Sequence, residues 1–168
     1  FEDYRDKAVI ELLYSTGIRR SELVNLKTID VDFRKGQIKV LGKRNKERFI
    51  PLLQNTVQTL LDYRKAKQSH FPESTPYFFV TGNNHKIYET FVYRIINKYF
   101  SKVSSKAKKS PHIIRHAFAT HLLNQGASLN AVKDLLGHSS LAATQVYTHN
   151  DIAALKKAYA SAHPRNSN

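Results

Sequence analysis

The sequence predicts an α+β fold, mostly helical, with one small three-stranded antiparallel sheet. Two patterns carry that prediction. Apolar residues recur at helical spacing along most of the chain, whereas only between positions 28 and 52 do they alternate and meet tight turns. Length supplies the third observation. The chain has 168 residues, enough for one domain (1–168) with a proper core, and no internal repeat or low-complexity segment divides it.

The elements follow in order. Residues 3–16 read as an amphipathic helix in which Tyr4, Ala8, Val9, Leu12 and Leu13 share a stripe, and Gly17 stops it. A short helix, "RSELVNL", comes next. Ile29, Val31 and Phe33 alternate with Thr28, Asp30 and Asp32, the pattern of a half-buried strand. "RKG" turns the chain into a second strand marked by Ile38 and Val40, and "GKRNKE" turns it into a third, "RFIPL". Residues 54–68 form a helix pattern, and "PYFFVTGNNHK" is an apolar, strand-like piece leading to a loop. Residues 88–103 form another helix pattern, followed by the basic loop "SKAKKSP". Ser110 and Pro111 suit the N-cap and first position of a helix running to Asn124, with Gly126 just beyond. Ser128 caps the next, which carries Leu129, Val132 and Leu136 and ends at Gly137. A short helix then reaches Tyr147, and a last amphipathic pattern covers 151–161.

Composition narrows the partners. The 27 Lys and Arg against 13 Asp and Glu give a formal charge of +14, more than solubility requires. Such an excess points to a polyanion, because each neutralised phosphate releases counterions. There is no Cys, which excludes a disulfide framework and cysteine-ligated metal. No apolar run approaches the roughly 20 residues of a membrane helix. A cytosolic protein that faces DNA or RNA is expected. The chain starts at Phe1 and holds no Met, so we expect a piece of a longer protein whose N-terminal domain lies outside it.

Five places carry candidate chemistry, and each has a plainer reading. In the helix from Ser110, His112 and Arg115 are i,i+3 neighbours beside His116, opposite a face of Ile113, Ile114, Ala117, Phe118 and Leu122. Arg and His at a helix N-terminus suit a phosphate, and the alternative is a solvated polar face. Zinc is disfavoured there, because Ile113 stands where a metalloprotease helix has Glu. In "TGIRRSEL", Arg19 and Arg20 open a helix with Glu22 close enough to hold a guanidinium, or all three form an exposed cluster. Lys43, Arg44 and Lys46 sit at a hairpin tip, able to grip a DNA backbone or merely solvated. His138 follows Gly137 at a helix end, where it can bond carbonyls. Tyr147 reads alone as a helix-end aromatic. Taken together, these cations and His residues would surround an anion, and Tyr147 supplies an oxygen nucleophile. No carboxylate cluster for a two-metal site is apparent.

The stretches "TGIRRSEL", "GKRNKERFIPL", "SPHIIRHAFATHLLNQGA" and "LLGHSSLAATQVYTH" resemble the motifs of the tyrosine recombinase (phage integrase) family, the Xer-type members above all. The resemblance runs from about Tyr4 to Pro164, with the motifs in the family's order. It implies the family's catalytic core fold and assigns roles residue by residue. Arg19 matches the first active-site Arg and Lys43, 24 residues on, the hairpin Lys. His112 and Arg115 match the H-x-x-R pair, His138 lies 23 residues beyond Arg115, and Tyr147, nine further, matches the nucleophile. Glu22 matches a supporting acidic position.

What the resemblance implies is a site-specific DNA recombinase. Tyr147 would attack a scissile phosphate and form a 3′-phosphotyrosyl link, with Lys43 as general acid, Arg19 and Arg115 clamping the phosphate, and His112 and His138 donating hydrogen bonds. Arg20, Arg44, Lys46, Arg48, Lys108, Lys109 and His116 are expected DNA contacts. No metal, ATP or other cofactor is implied. The partners implied are double-stranded DNA and further copies of the chain in a tetramer, through the C-terminal helix 151–163 unless that helix packs on its own domain. The job would be chromosome dimer resolution or movement of a mobile element, in the cytoplasm on the nucleoid. The competing readings are a non-catalytic DNA-binding module on the same fold and a type IB topoisomerase.

Overall fold

A computed structural model describes residues 1–42, 46–73, 75–100 and 111–137. The elements are α1 (Glu2–Thr16), α2 (Arg20–Asn25), β1 (Val31–Asp32), β2 (Gln37–Leu41), β3 (Glu47–Pro51), α3 (Gln54–His70), α4 (Glu89–Phe100), α5 (Pro111–Asn124) and α6 (Leu129–Leu136). The three strands form one antiparallel sheet in chain order. The expected α+β class and the small sheet are therefore present.

The helix α1 is the central element. From Arg5 onward it is buried on most sides, with Ala8, Val9 and Leu12 fully enclosed by α3, α4 and α5. Tyr4, expected in the same stripe, stays exposed on the first turn. Gly17 ends α1 in the left-handed region at φ 61°. A Cβ there would come within 2.4 Å of the Phe118 ring and 3.0 Å of Leu136. Only glycine allows both the turn and this approach, so the end of α1 sits directly against α5 and α6.

Three expectations change in detail. Thr28–Asp30 forms a 3-10 turn rather than strand, and Ile29 is 87% exposed. The cause is local: the Asp30 carboxylate accepts the Lys27 backbone N–H at 3.2 Å and closes a turn that competes with the ladder. In α5 the buried line runs through Phe118 and Leu122, four residues apart, and leaves Ala117 exposed. In α6, likewise, Val132, Leu135 and Leu136 are buried and Leu129 is exposed. Ser128 caps α6 as expected, its hydroxyl accepting the Ala131 N–H at 3.1 Å.

The strand-like segment after α3 makes two isolated bridges, Lys27 to Tyr77 and Val80 to Lys86. It is fixed from within by Tyr63, whose buried hydroxyl donates to the Phe78 carbonyl and accepts the Val80 N–H, both at 3.1 Å. The basic loop "SKAKKSP" up to Ser110, the short helix to Tyr147 and the pattern over 151–161 lie outside the described residues.

Candidate active site

Three arginines from three separate elements converge on the end of α6. Arg19 stands at the start of α2, Arg48 in β3 and Arg115 in the first turns of α5. Arg48 Nε donates to the Leu135 carbonyl at 2.7 Å, and Arg115 Nη2 donates to that of Leu136. Arg19 Nη2 donates to the Gly137 carbonyl at 2.8 Å. These three consecutive carbonyls belong to the group a helix leaves unpaired at its C-terminus, where its dipole attracts cations. The arginines are thus seated without any acid of their own in α6. Arg115 is tied on its other side too, with Nη1 donating to the Gly17 carbonyl at 2.6 Å. The tight junction at Gly17 is what brings that carbonyl within reach.

Glu22 is the carboxylate among them, and its side chain is 3% exposed. Its Oε1 accepts from Arg48 Nη1 at 2.6 Å and from Arg19 Nη1 at 3.0 Å. Its Oε2 accepts from Arg48 Nη2 at 2.9 Å and from the Arg19 backbone N–H at 2.8 Å, which also caps α2. Burial alone would raise the Glu22 carboxyl, but the Arg48 hydrogen bonds and charge, with those of Arg19, hold it below its ordinary value. Burial pushes Arg115 down to about 10, and the charges of Arg19 and Arg48 add to that shift. One buried carboxylate does not balance three guanidinium groups, so the cluster keeps a positive excess that favours an anion.

Two glycines border this cluster. A Cβ on Gly137 would lie 3.0 Å from Arg48 Nη1 and 3.3 Å from Arg19 Nη1. A Cβ on Gly42 would lie 3.4 Å from Arg48 Nη1 and 3.9 Å from Glu22 Oε1. Gly42 immediately precedes Lys43, and Gly137 immediately precedes His138.

Residues 1–153 match the phage integrase family. This chain belongs to the phage integrase family, the tyrosine recombinases. The tyrosine recombinase XerC of Chlorobaculum parvum is 43% identical over 170 residues, covering 98% of this chain and 51% of that protein. The crystal structure of XerA recombinase superposes with a TM-score of 0.77 at 33% identity, covering 98% of this chain and 60% of that one. XerH site-specific recombinase, in a pre-cleavage complex with its difH substrate, gives 0.73 at 26% identity over 92% of this chain and 46% of that one. The chain spans about half the length of the curated XerC relatives it matches.

Within this integrase-family domain, the structure brings Arg19, Glu22 and Arg115 together. His112 occupies the first turn of α5, one turn before Arg115. Lys43, His138 and Tyr147 lie outside the described residues, as do Arg44, Lys108, Lys109 and the C-terminal helix 151–163. Lys46 and His116 are exposed. Arg20 is partly exposed and paired with Glu89 at 2.6 Å. Arg48, expected among the DNA contacts, is placed differently: its side chain is 9% exposed and its guanidinium is turned onto Glu22 and Leu135. Strand parity carried the signal for this. Arg48 pairs with Val40 and Ile50 with Ile38, so Arg48 shares the buried face of the hairpin with three apolar residues.

Proposed function

We propose that this chain is the catalytic domain of a site-specific DNA recombinase, with Tyr147 as nucleophile and Arg19 and Arg115 as the phosphate clamp. The observation that carries the reading is the convergence of Arg19 and Arg115 on one helix end, leaving guanidinium N–H groups beyond those bound to carbonyls and Glu22. Such a pair suits the non-bridging oxygens of a phosphate whose charge grows in the transition state. Tyr147 Oη attacks phosphorus, the phosphotyrosyl bond forms at the 3′ side, and the 5′-oxygen leaves with a proton from Lys43. His112 and His138 donate hydrogen bonds to the same phosphate. A 5′-hydroxyl from another strand then reverses the step, so the bond energy is retained and no external energy source is consumed.

Double-stranded DNA is the substrate, gripped by Arg20, Arg44, Lys46, Lys108, Lys109 and His116. Two rounds of exchange need four active sites, which we assign to a tetramer joined through the helix 151–163. The motifs suit chromosome dimer resolution or movement of a mobile element. Both place the protein on the nucleoid in the cytoplasm, and among the described residues no helix is long and apolar enough to cross a membrane.

The test is a nicked suicide substrate with the full-length protein, resolved on a denaturing gel. A covalent DNA–protein adduct is expected, and Tyr147→Phe should abolish it. No adduct with the unaltered protein, or an undiminished one with Tyr147→Phe, refutes the reading.

A further inference from the structure

The proposed mechanism gives Arg48 no role, although its side chain donates three hydrogen bonds where that of Arg19 donates two. Its three bonds join β3 to Glu22 through both carboxylate oxygens and to the Leu135 carbonyl. The consequence for Arg19 follows from counting acceptors on Glu22. Each oxygen has about two lone-pair directions. Oε1 is shared between Arg48 Nη1 and Arg19 Nη1, and Oε2 between Arg48 Nη2 and the Arg19 backbone N–H. The carboxylate is saturated, and Arg19 holds it through a single side-chain N–H. The other arm of Arg19 is thereby free to reach the Gly137 carbonyl.

We infer that Arg48 is a positioning residue: by occupying both oxygens of Glu22 it stops Arg19 from collapsing into a two-pronged pair with that carboxylate, and so keeps Arg19 turned toward the phosphate. Planar guanidinium and carboxylate groups favour fork-to-fork pairing, and a buried carboxylate with unmet lone pairs seeks the nearest donor. Without Arg48 that donor is Arg19, which lies 3.0 Å away through Nη1. The collapsed pair would neutralise Arg19 and rotate its guanidinium away from Gly137. Arg48 also ties the last turn of α6, so it sets both the cation and the helix end on which that cation rests.

The inference rests on the recombinase reading, and its signature is suppression rather than loss. In the full-length protein on saturating suicide substrate, Arg48→Met should slow adduct formation by about 100-fold, the scale for one misplaced transition-state donor. DNA affinity should change by no more than about threefold, since Arg48 itself is not a phosphate contact. Adding Glu22→Gln should then restore the rate about tenfold, a coupling within the range for residues of one hydrogen-bond network. A neutral amide has one acceptor oxygen and no charge, so Arg19 has no two-pronged partner to collapse onto. Arg48→Lys, which keeps the charge and loses the fork, should fall between, and it replaces Arg48→Met if that variant does not fold.

A second arm needs no chemistry. Stabilisation of the unaltered protein against heat by inorganic phosphate should weaken in Arg48→Met and return in the double variant. If the double variant is as slow as Arg48→Met or slower, or if the loss lies wholly in DNA affinity, the inference fails. If the unaltered protein forms no adduct, the recombinase reading fails instead, and the phosphate arm still decides whether Arg48 governs Arg19.

Discussion

Among the described residues are two buried clusters of arginine and carboxylate, and they are built to opposite ends. In the first, Arg5 on α1 gives Nε and Nη2 to Asp6 at 3.0 and 2.8 Å and faces Glu2 at 3.4 Å. Lys98 of α4 completes Asp6 at 3.2 Å, and Arg5 lies over the rings of Phe91 and Phe1 at 4.7 and 5.6 Å. Two cations meet two carboxylates, and the guanidinium faces are covered by aromatic surface. In the second, Arg19 and Arg48 share Glu22, Arg115 has no carboxylate partner, and the shortfall is met by carbonyl dipoles at Gly17 and the end of α6. A balanced cluster locks elements together and has nothing left to bind. An unbalanced one keeps free donors and a positive field, at some cost to the fold. The difference separates scaffold from site before any chemistry is invoked.

The sharpest way to break this contrast is to unbalance the balanced cluster. Asp6→Ala leaves the Arg5 guanidinium, 4% exposed, without its main partner. Removing one member of a buried pair costs about 3–5 kcal/mol, because an uncompensated charge stays buried. We expect a loss of that size in denaturant unfolding, with an unchanged rate of adduct formation wherever the variant remains folded. A slowed rate in the folded variant would show that the clusters are not independent.

Arg115→Gln is the reciprocal change, with an effect next in size. On the proposed mechanism the change removes one arm of the phosphate clamp, which costs roughly 10²–10³ in rate, or about 2.7–4 kcal/mol. Stability should barely move. Two carbonyl hydrogen bonds are weakened, yet a cation whose charge is disfavoured there, with its pKa brought down to about 10, is removed. A melting temperature within a few degrees of the parent, with adduct formation lost, sharpens the comparison. A collapse of stability would make Arg115 part of the scaffold.

Much of this was legible in the sequence, and the omissions have physical causes. Helical spacing located α1, α3, α5 and α6, and glycine marked the ends of α1 and α6 because their backbone there is left-handed, at φ 61° and 65°. Motif order named Arg19, Glu22 and Arg115, which the structure brings together. What one-dimensional reading lost was direction. Ile29 looked like a strand residue because periodicity cannot see Asp30 closing a turn on Lys27. Arg48 was expected among the DNA contacts because charge usually means solvent, although its pairing with Val40 puts it on the inner face. The partnership of Arg19, Arg48 and Arg115 with three successive carbonyls depends on tertiary packing at Gly17, and no local pattern encodes it.

The smallest expected effect concerns acid, and it tests the sign of the Glu22 balance. Glu22 is held below its ordinary value of 4.5, so its folded form binds a proton less readily than its unfolded form. Its contribution to stability is therefore fully present above that ordinary value and is lost as pH falls through the lowered one. Glu22→Gln has no proton to take up. Its stability should be lower than the parent's at neutral pH, because three guanidinium groups lose their one formal counter-charge, but it should fall less steeply below pH 4.5. The two acid-unfolding curves should approach each other as pH drops. Parallel curves for Glu22→Gln and the parent would mean that the arginines do not hold the carboxylate ionised. The cluster would then be balanced by its carbonyls alone.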